Sequence, residues 1–183
     1  KKLLAVVLTG VMAVSMLTGC AGISSRRVAD ELEGMLKTVN DKATVKAVDD
    51  DLANKAVKVA KTEQGALKEA DALKAAVKTE LTKDNKLGDS YIWITYFATK
   101  DVNKTVKAQN IAKVMISTDD TGAKLNTTAT GAINAADVKV GDKSGDAIKA
   151  GNKFELSMKE FSVGDADYVM VVVTCKAVVK AAD

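Results

Sequence analysis

The chain has 183 residues, a formal net charge of +3, and neither histidine nor proline. Without histidine, catalytic triads built on His, histidine general bases and histidine metal ligands are excluded. Lys1 and Lys2 are the only charged residues before Cys20, which leaves a formal charge of +1 for residues 20–183. This near balance lacks the one-signed excess of nucleic-acid binders, so no nucleic-acid partner is predicted.

The first twenty residues have the layout of an export signal. Lys1 and Lys2 precede an apolar stretch, residues 3–17, which is interrupted only by Thr9, Gly10 and Ser15. As a helix this stretch is about 22 Å long at 1.5 Å per residue. That is short of the roughly 30 Å hydrocarbon core of a bilayer. The stretch therefore predicts the apolar region of a signal peptide rather than a permanent transmembrane helix.

The signal ends in Leu17-Thr18-Gly19-Cys20. This tetrapeptide resembles the lipobox of bacterial lipoproteins: a branched apolar residue, a small residue, Gly or Ala, then Cys. The resemblance implies diacylglycerol in thioether linkage to Cys20, cleavage of residues 1–19 as a signal peptide, and a fatty acyl group such as palmitate on the new amino terminus. An ordinary secretory signal or a cysteine in a core helix are the alternative interpretations. Several acyl chains together anchor a protein stably.

The lipobox also implies a location. It places the protein in the bacterial cell envelope, on the extracytoplasmic face of a membrane that it contacts through the lipid on Cys20, with residues 20–25 as lipidated cysteine and tether. With Cys20 acylated, Cys175 is the only other cysteine in the chain. No intrachain disulfide is then expected.

Residues 26–88 are predicted to be a helical segment with three amphipathic stretches. In the first, apolar residues at Val28, Leu32, Met35 and Val39 have helical spacing. The second, residues 44–61, has a similar stripe, although its last part also alternates as a strand does. The third, residues 67–81, has a clear apolar face and an alanine-rich composition.

Residues 89–183 are predicted to be β-rich and to pack with the helices as one domain. Residues 91–98 are apolar on both alternating faces, which indicates a central strand or one between a sheet and a helix layer. Residues 105–118 keep their apolar side chains at even positions and are predicted to form a half-buried antiparallel strand. The best core strand is residues 168–179, with Cys175 on its apolar face as a buried, inert thiol.

These elements predict an α+β fold, with N-terminal amphipathic helices followed by an antiparallel and sandwich-like β-sheet. Trp93 within an apolar strand and Tyr168 entering the last core strand are similar to the core Trp and later Tyr of immunoglobulin domains. The chain departs from that pattern because Met170 stands at the usual cysteine position. This resemblance favours a sandwich-like sheet.

Metal and cofactor motifs are incomplete. Asp142, Ser144 and Asp146 have the first spacings of a calcium loop, but Ala147 stands where that loop needs Gly and Lys153 where it needs Glu. The segment is therefore interpreted as a polar turn. No metal site, no cofactor and no catalytic residue are predicted.

Two classes of function remain open. The first is a non-catalytic surface lipoprotein, a binding, adhesion or envelope-assembly module with an envelope protein or glycan as partner. Its surface is expected at the turns near Asp119, Asp142 and Gly164-Asp165, because loops on a rigid sheet vary without cost to the core. The alternative is an envelope hydrolase of glycosidase type, in which Glu155 or Asp165 acts with a second carboxylate.

Overall fold

The computed structural model describes residues 24–84, 87–100, 103–126 and 137–181. The strands in chain order are β1 (Thr44–Ala47), β2 (Ser90–Ala98), β3 (Ile116–Asp119), β4 (Gly122–Leu125), β5 (Lys139–Val140), β6 (Lys143–Ser144), β7 (Ile148–Val163) and β8 (Ala166–Val179). The main sheet has the order β1-β7-β8-β2. Its centre is the long antiparallel hairpin of β7 and β8. β2 runs antiparallel to β8, whereas β1 runs parallel to β7.

The helices are α1 (Ser25–Leu36), α2 (Leu52–Ala60), α3 (Ala70–Thr82) and α4 (Lys104–Met115). Two of them have side-chain caps at their amino ends. The Ser24 hydroxyl accepts a hydrogen bond from the Arg27 N–H, and the Asn103 side chain accepts one from the Val106 N–H. Such caps satisfy backbone donors that a helix start otherwise leaves unpaired.

The main sheet separates two apolar cores. On the first face, α1 and α4 pack on the alternate β8 residues from Val169 to Ala177 and on Trp93 of β2. On the second face, α2 and α3 pack on Met170 and Val172 of β8 and on Ile92 of β2. The period-two alternation of β8 therefore divides its side chains between two separate helix layers.

The structure confirms the α+β class, and it has β8 in the middle of the sheet with its central residues buried, as predicted. A sandwich of two facing sheets is not confirmed, since helices cover both faces of the main sheet in the described residues. Cys175 is buried within β8, as expected. The sheet is mixed rather than purely antiparallel because of β1.

The prediction of a strand at residues 105–118 is wrong, because α4 occupies most of that range. Its buried residues are Lys107, Ala108, Ile111, Ala112 and Met115, and their spacing is that of a helix face. The alternating even positions also fitted a strand, and periodicity did not distinguish the two. Lys107 is at an odd position of that predicted strand, opposite its apolar side chains, yet its side chain is fully buried.

Two further assignments need correction. Residues 44–47 form β1 rather than the start of a helix, and the helix predicted from Thr44 begins only at Leu52. β2 is an edge strand of the described sheet rather than a central one. β2 is apolar on both faces because helices pack above and below it. A strand can be covered on both faces without having a neighbouring strand on each side.

None of the helices in the described ranges is both long enough and apolar enough to cross a membrane. The predicted signal peptide, the lipobox and Cys20 lie in residues 1–23, outside the described residues.

Candidate functional site

The three turns predicted to form the functional surface do not come together. Gly141 and Asp142 connect β5 and β6, and the segment that follows is tied to the end of β8 by a bond from the Lys180 N–H to the Ala147 carbonyl, 2.9 Å. Gly164 and Asp165 connect β7 to β8 at the other end of the hairpin. The 14 residues of β8 separate these ends by about 45 Å at 3.3 Å per residue.

The hydrolase alternative has two candidate carboxylates, Glu155 and Asp165, each with an unidentified partner, and these two lie apart. Glu155 is in the middle of β7, opposite Thr174 of β8, whereas Asp165 is at the hairpin tip. The extended strand between them spans about 26 Å at 3.3 Å per residue. Paired catalytic carboxyl groups of glycosidases are about 5 to 10 Å apart. Glu155 and Asp165 are therefore not partners of one another.

The tip end of the hairpin carries an aromatic cluster, Tyr96, Phe161 and Tyr168, here called the tyrosine patch. The ring centroids of Tyr96 and Tyr168 are 6.1 Å apart with an edge-to-face orientation, and those of Phe161 and Tyr168 are 5.7 Å apart. Phe161 is buried, but both tyrosines are only half-buried. The patch lies on the second face, at the margin of the apolar core under α2 and α3.

Hydrogen bonds to Asp167 hold this end of the molecule in place. The Ser162 hydroxyl donates to the Asp167 carboxylate at 2.7 Å, which crosses the hairpin from β7 to β8. Thr99, just after β2, donates from its N–H and its hydroxyl to the Asp167 carbonyl, at 3.0 and 3.3 Å. These hydrogen bonds fix the relative position of β2, β7 and β8, the three strands that carry the tyrosine patch. Asp165, at the tip of the hairpin, is exposed.

This arrangement suits binding. A half-exposed tyrosine offers a flat apolar ring face together with a hydroxyl group, and such side chains are enriched in protein interfaces. A ring face can pack on the apolar face of a sugar or on an apolar peptide side chain, while the hydroxyl forms a hydrogen bond. In the described residues, no group of three or more Cys, Asp and Glu side chains is arranged to hold a metal ion.

The strongly shifted titratable groups lie elsewhere and have structural causes. Burial raises the pKa of the Cys175 thiol to about 12, so the thiolate that would react is scarce at neutral pH. At the β3–β4 turn, hydrogen bonds from Lys124 and Thr121 lower the pKa of Asp119 to about 2. That carboxylate accepts hydrogen bonds from the N–H and the hydroxyl of Thr121 in the same turn.

The acidic triplet before α2 also has a structural role. The Asp50 carboxylate accepts a hydrogen bond from the Leu52 N–H at 3.0 Å, at the amino end of that helix. Negative charge there is favourable because it faces the positive end of the helix dipole. The side chains of Asp49 and Asp51 do not join it in a metal cluster within the described part of the chain.

Sequence analysis missed the tyrosine patch, although a signal for it existed. A hairpin turn at Gly164-Asp165 places Phe161 opposite Tyr168, because both are three residues from the turn. Tyr96 becomes part of the tyrosine patch only because β2 pairs with β8, where Tyr96 lies opposite Met170. That pairing joins residues far apart in the chain, and no local pattern specifies it.

Comparison of the chain with family models, with curated proteins and with solved structures finds no match.

Proposed function

We propose that this protein is a bacterial envelope lipoprotein that presents a non-catalytic binding module from a membrane surface. The observation that carries the proposal is the sequence Leu17-Thr18-Gly19-Cys20 after a basic start and an apolar stretch. In this proposal Cys20 carries the diacylglycerol, and the export signal before it is removed. Nothing else in the chain has comparable specificity.

The beginning of the fold is consistent with this role. Ser24 caps α1 and is four residues beyond Cys20. An extended chain of that length reaches at most about 14 Å. A lipid on Cys20 would therefore hold the amino end of α1 close to the headgroups. Among the described residues, the buried apolar core begins at Val28 of α1.

The tyrosine patch is proposed as the binding surface, with an envelope glycan or an extended segment of an envelope protein as ligand. It combines half-exposed aromatic rings with a support fixed by hydrogen bonds to Asp167. A rigid platform loses little conformational entropy when it binds. We propose this surface in place of the three predicted turns, two of which, at Asp142 and at Gly164-Asp165, lie at opposite ends of the sheet.

The anchor is tested by Cys20→Ser in the full chain. We expect the wild-type protein from bacterial membranes to carry acyl mass on its Cys20 residue, and the Cys20→Ser protein to keep residues 1–19 and to lack acyl mass. Intact-protein mass spectrometry measures both. Cys175→Ser is the matched control and should be lipidated as the wild type is, because Cys175 is buried in the fold. An unmodified Cys20 thiol on membrane-extracted wild type would overturn the anchor.

The binding surface is tested by replacing one of its half-buried tyrosines, Tyr168. We expect Tyr168→Ala to weaken the binding of soluble peptidoglycan fragments or envelope-protein peptides at least tenfold, as measured by titration calorimetry. Val178→Ala, at an exposed apolar residue of the same strand away from the patch, is the control and should bind as wild type does. Equal affinities for Tyr168→Ala and wild type would remove the patch from the proposal and leave the anchor untouched.

A further inference from the structure

A lysine accompanies the aromatic rings of the tyrosine patch. At the tip end of the hairpin, β2, β7 and β8 direct eight side chains to the second face, because successive side chains of a strand point to opposite faces. From the middle of the sheet towards the tip, they are Lys159, Met170 and Tyr96, then Phe161, Tyr168 and Ala98, and finally Val163 and Ala166. Among these described residues, Lys159 alone carries a charge.

Lys159 lies within reach of the rings. It is opposite Met170 of β8, and Tyr168 is its diagonal neighbour, two residues before Met170. Diagonal positions across an antiparallel pair are about 7 to 8 Å apart, a distance that a long side chain can bridge. The exposed Lys159 side chain can therefore bring its ammonium group beside the ring of Tyr168.

The polar groups of this surface are not used inside the fold. Within the part of the chain that the structure describes, the Lys159 ammonium makes no ion pair. Over the same ranges, neither the Tyr96 nor the Tyr168 hydroxyl makes a hydrogen bond. Glu160, the next residue of β7, points to the opposite face of the sheet. One ammonium group and two hydroxyl groups are therefore available to a ligand beside the rings.

These groups fit a sugar ring that carries a carboxylate. The apolar face of the sugar can pack on a tyrosine ring, its hydroxyl groups can form hydrogen bonds with the tyrosine hydroxyls, and its carboxylate can accept from the ammonium group. A neutral sugar would leave the ammonium group without a partner. A sugar unit is also compact, which suits a surface that α2 and α3 border on the same face.

We propose that the tyrosine patch binds an acidic envelope glycan, with the ring of one sugar on Tyr168 and the carboxylate of that sugar on Lys159. The assignment rests on the proposed binding surface and names its ligand class. Tyr168 provides affinity for sugar rings whether or not they are charged. Lys159 determines specificity, because its ammonium group favours the acidic sugar.

Two matched disaccharides test the assignment. One contains N-acetylmuramic acid, which carries a carboxylate, and the other is the neutral disaccharide of N-acetylglucosamine. In titration calorimetry at low salt, we expect the full-length wild type in detergent to bind the acidic disaccharide about fivefold more tightly, since a single ion pair at a surface is weak. This preference should shrink as the salt concentration rises, because salt screens exposed charges.

Variants of Lys159 assign the preference to its charge. Lys159→Gln should bind both disaccharides alike, with the wild-type affinity for the neutral one, and Lys159→Arg should keep the preference. Lys153→Gln is the matched control and should also keep it, because Lys153 is an exposed lysine on the same face of β7 but lies opposite Thr44 of β1, outside the patch. All three variants should melt as wild type does, since both lysines are exposed.

Equal wild-type affinities for the two disaccharides, or no binding of either, would overturn the proposal, as would a preference that survives in Lys159→Gln. If Tyr168→Ala still weakened binding in such a case, the tyrosine patch would stand without Lys159. If Tyr168→Ala bound as wild type does, the patch would fall as well. Tighter binding of a glutamate-containing peptide than of the acidic disaccharide would also overturn the proposal and assign the patch to a protein ligand.

Discussion

The two faces of the main sheet are covered to different extents. On the first face, the alternate residues of β8 are apolar and buried from Val169 to Ala177, in one core cluster with residues of α1 and α4 and with Val138 before β5. On the second face the apolar run ends at Val172, and Thr174 and the exposed Lys176 follow. There α2 and α3 cover only the half of the sheet that lies towards the hairpin tip.

β7 marks the limit of the cover on the second face. The buried hydroxyl of Ser157 accepts a hydrogen bond from the Ala53 N–H at the start of α2, 3.2 Å. Beyond that bond, Glu155 of β7 and its neighbour Lys46 of β1 are exposed. On this face the helix cover ends close to where the alternating apolar residues end, and the polar side chains buried at that limit, Ser157 and Thr174, carry hydroxyl groups rather than charges. A charged side chain under a helix would lose its hydration.

The largest effect is expected on the first face. Val173→Asp puts a carboxylate at a position that is 1% exposed, in the middle of the first-face core. A buried charge without a partner costs several kcal/mol, a large share of the roughly 5–15 kcal/mol by which a typical domain is stable, so we expect loss of the folded state. Circular dichroism melting measures this.

The control for Val173→Asp is Lys180→Asp, just beyond β8 and exposed. It should melt within a few degrees of wild type. Equal melting temperatures for Val173→Asp and wild type would contradict the assignment of β8 to the core.

A smaller effect is expected on the second face, where α2 packs through small residues. Ala53, Ala56 and Ala60 are all buried, which lets the helix lie close to the sheet. Ala56→Leu adds volume that this contact has no room for, and we expect a loss of about 1 to 3 kcal/mol in the free energy of unfolding. Asn54→Leu, on the exposed side of the same helix, should change it by less than about 0.5 kcal/mol. Denaturant titration measures both free energies of unfolding. Equal values for Ala56→Leu and Asn54→Leu would show that α2 is not closely packed on the second face.

The smallest effect concerns Glu33, which links α1 to β1 beside the first face. Its carboxylate accepts hydrogen bonds from the Lys37 ammonium at 2.6 Å and the Val45 N–H at 2.9 Å. These bonds lower the pKa of Glu33 from its usual 4.5. The stabilisation is therefore complete above about pH 4.5, where the unfolded chain is ionised too, and is lost as the pH falls through the lowered pKa of the folded state.

We expect the free energies of unfolding of wild type and Glu33→Gln to differ at neutral pH and to converge as the solution becomes acidic. The difference should be smaller than that caused by Ala56→Leu, because this carboxylate is near the surface. Glu63→Gln, at an exposed loop residue, is the control and should show no such convergence. A constant difference between Glu33→Gln and wild type over the acidic range would show that Glu33 does not act through its charge.

Local patterns predicted some elements well and others poorly. The strict alternation of β8 identified it as a core strand, and the stripe through Val28 and Leu32 coincides with α1. Residues 104–115 were predicted to be a strand because their small and β-branched residues fit both the strand period and the helix period. The Asn103 cap, which marks the start of a helix, was not recognised. The tyrosine patch depends on the β2–β8 pairing, which joins residues about 70 positions apart. No local propensity encodes such a contact.

The sequence alone determined the α+β class, the burial of β8 and of Cys175, and the lipobox on which the proposed anchor rests, because each depends on residues that are close together in the chain. The tertiary structure decided that β1 runs parallel to β7 and, within the described residues, that β2 is an edge strand and that helices pack on both faces of the main sheet. These features depend on which apolar surfaces meet. The apolar residues of β2 require cover on both faces, but burial is not directional, and only the packed chain specifies which elements provide it.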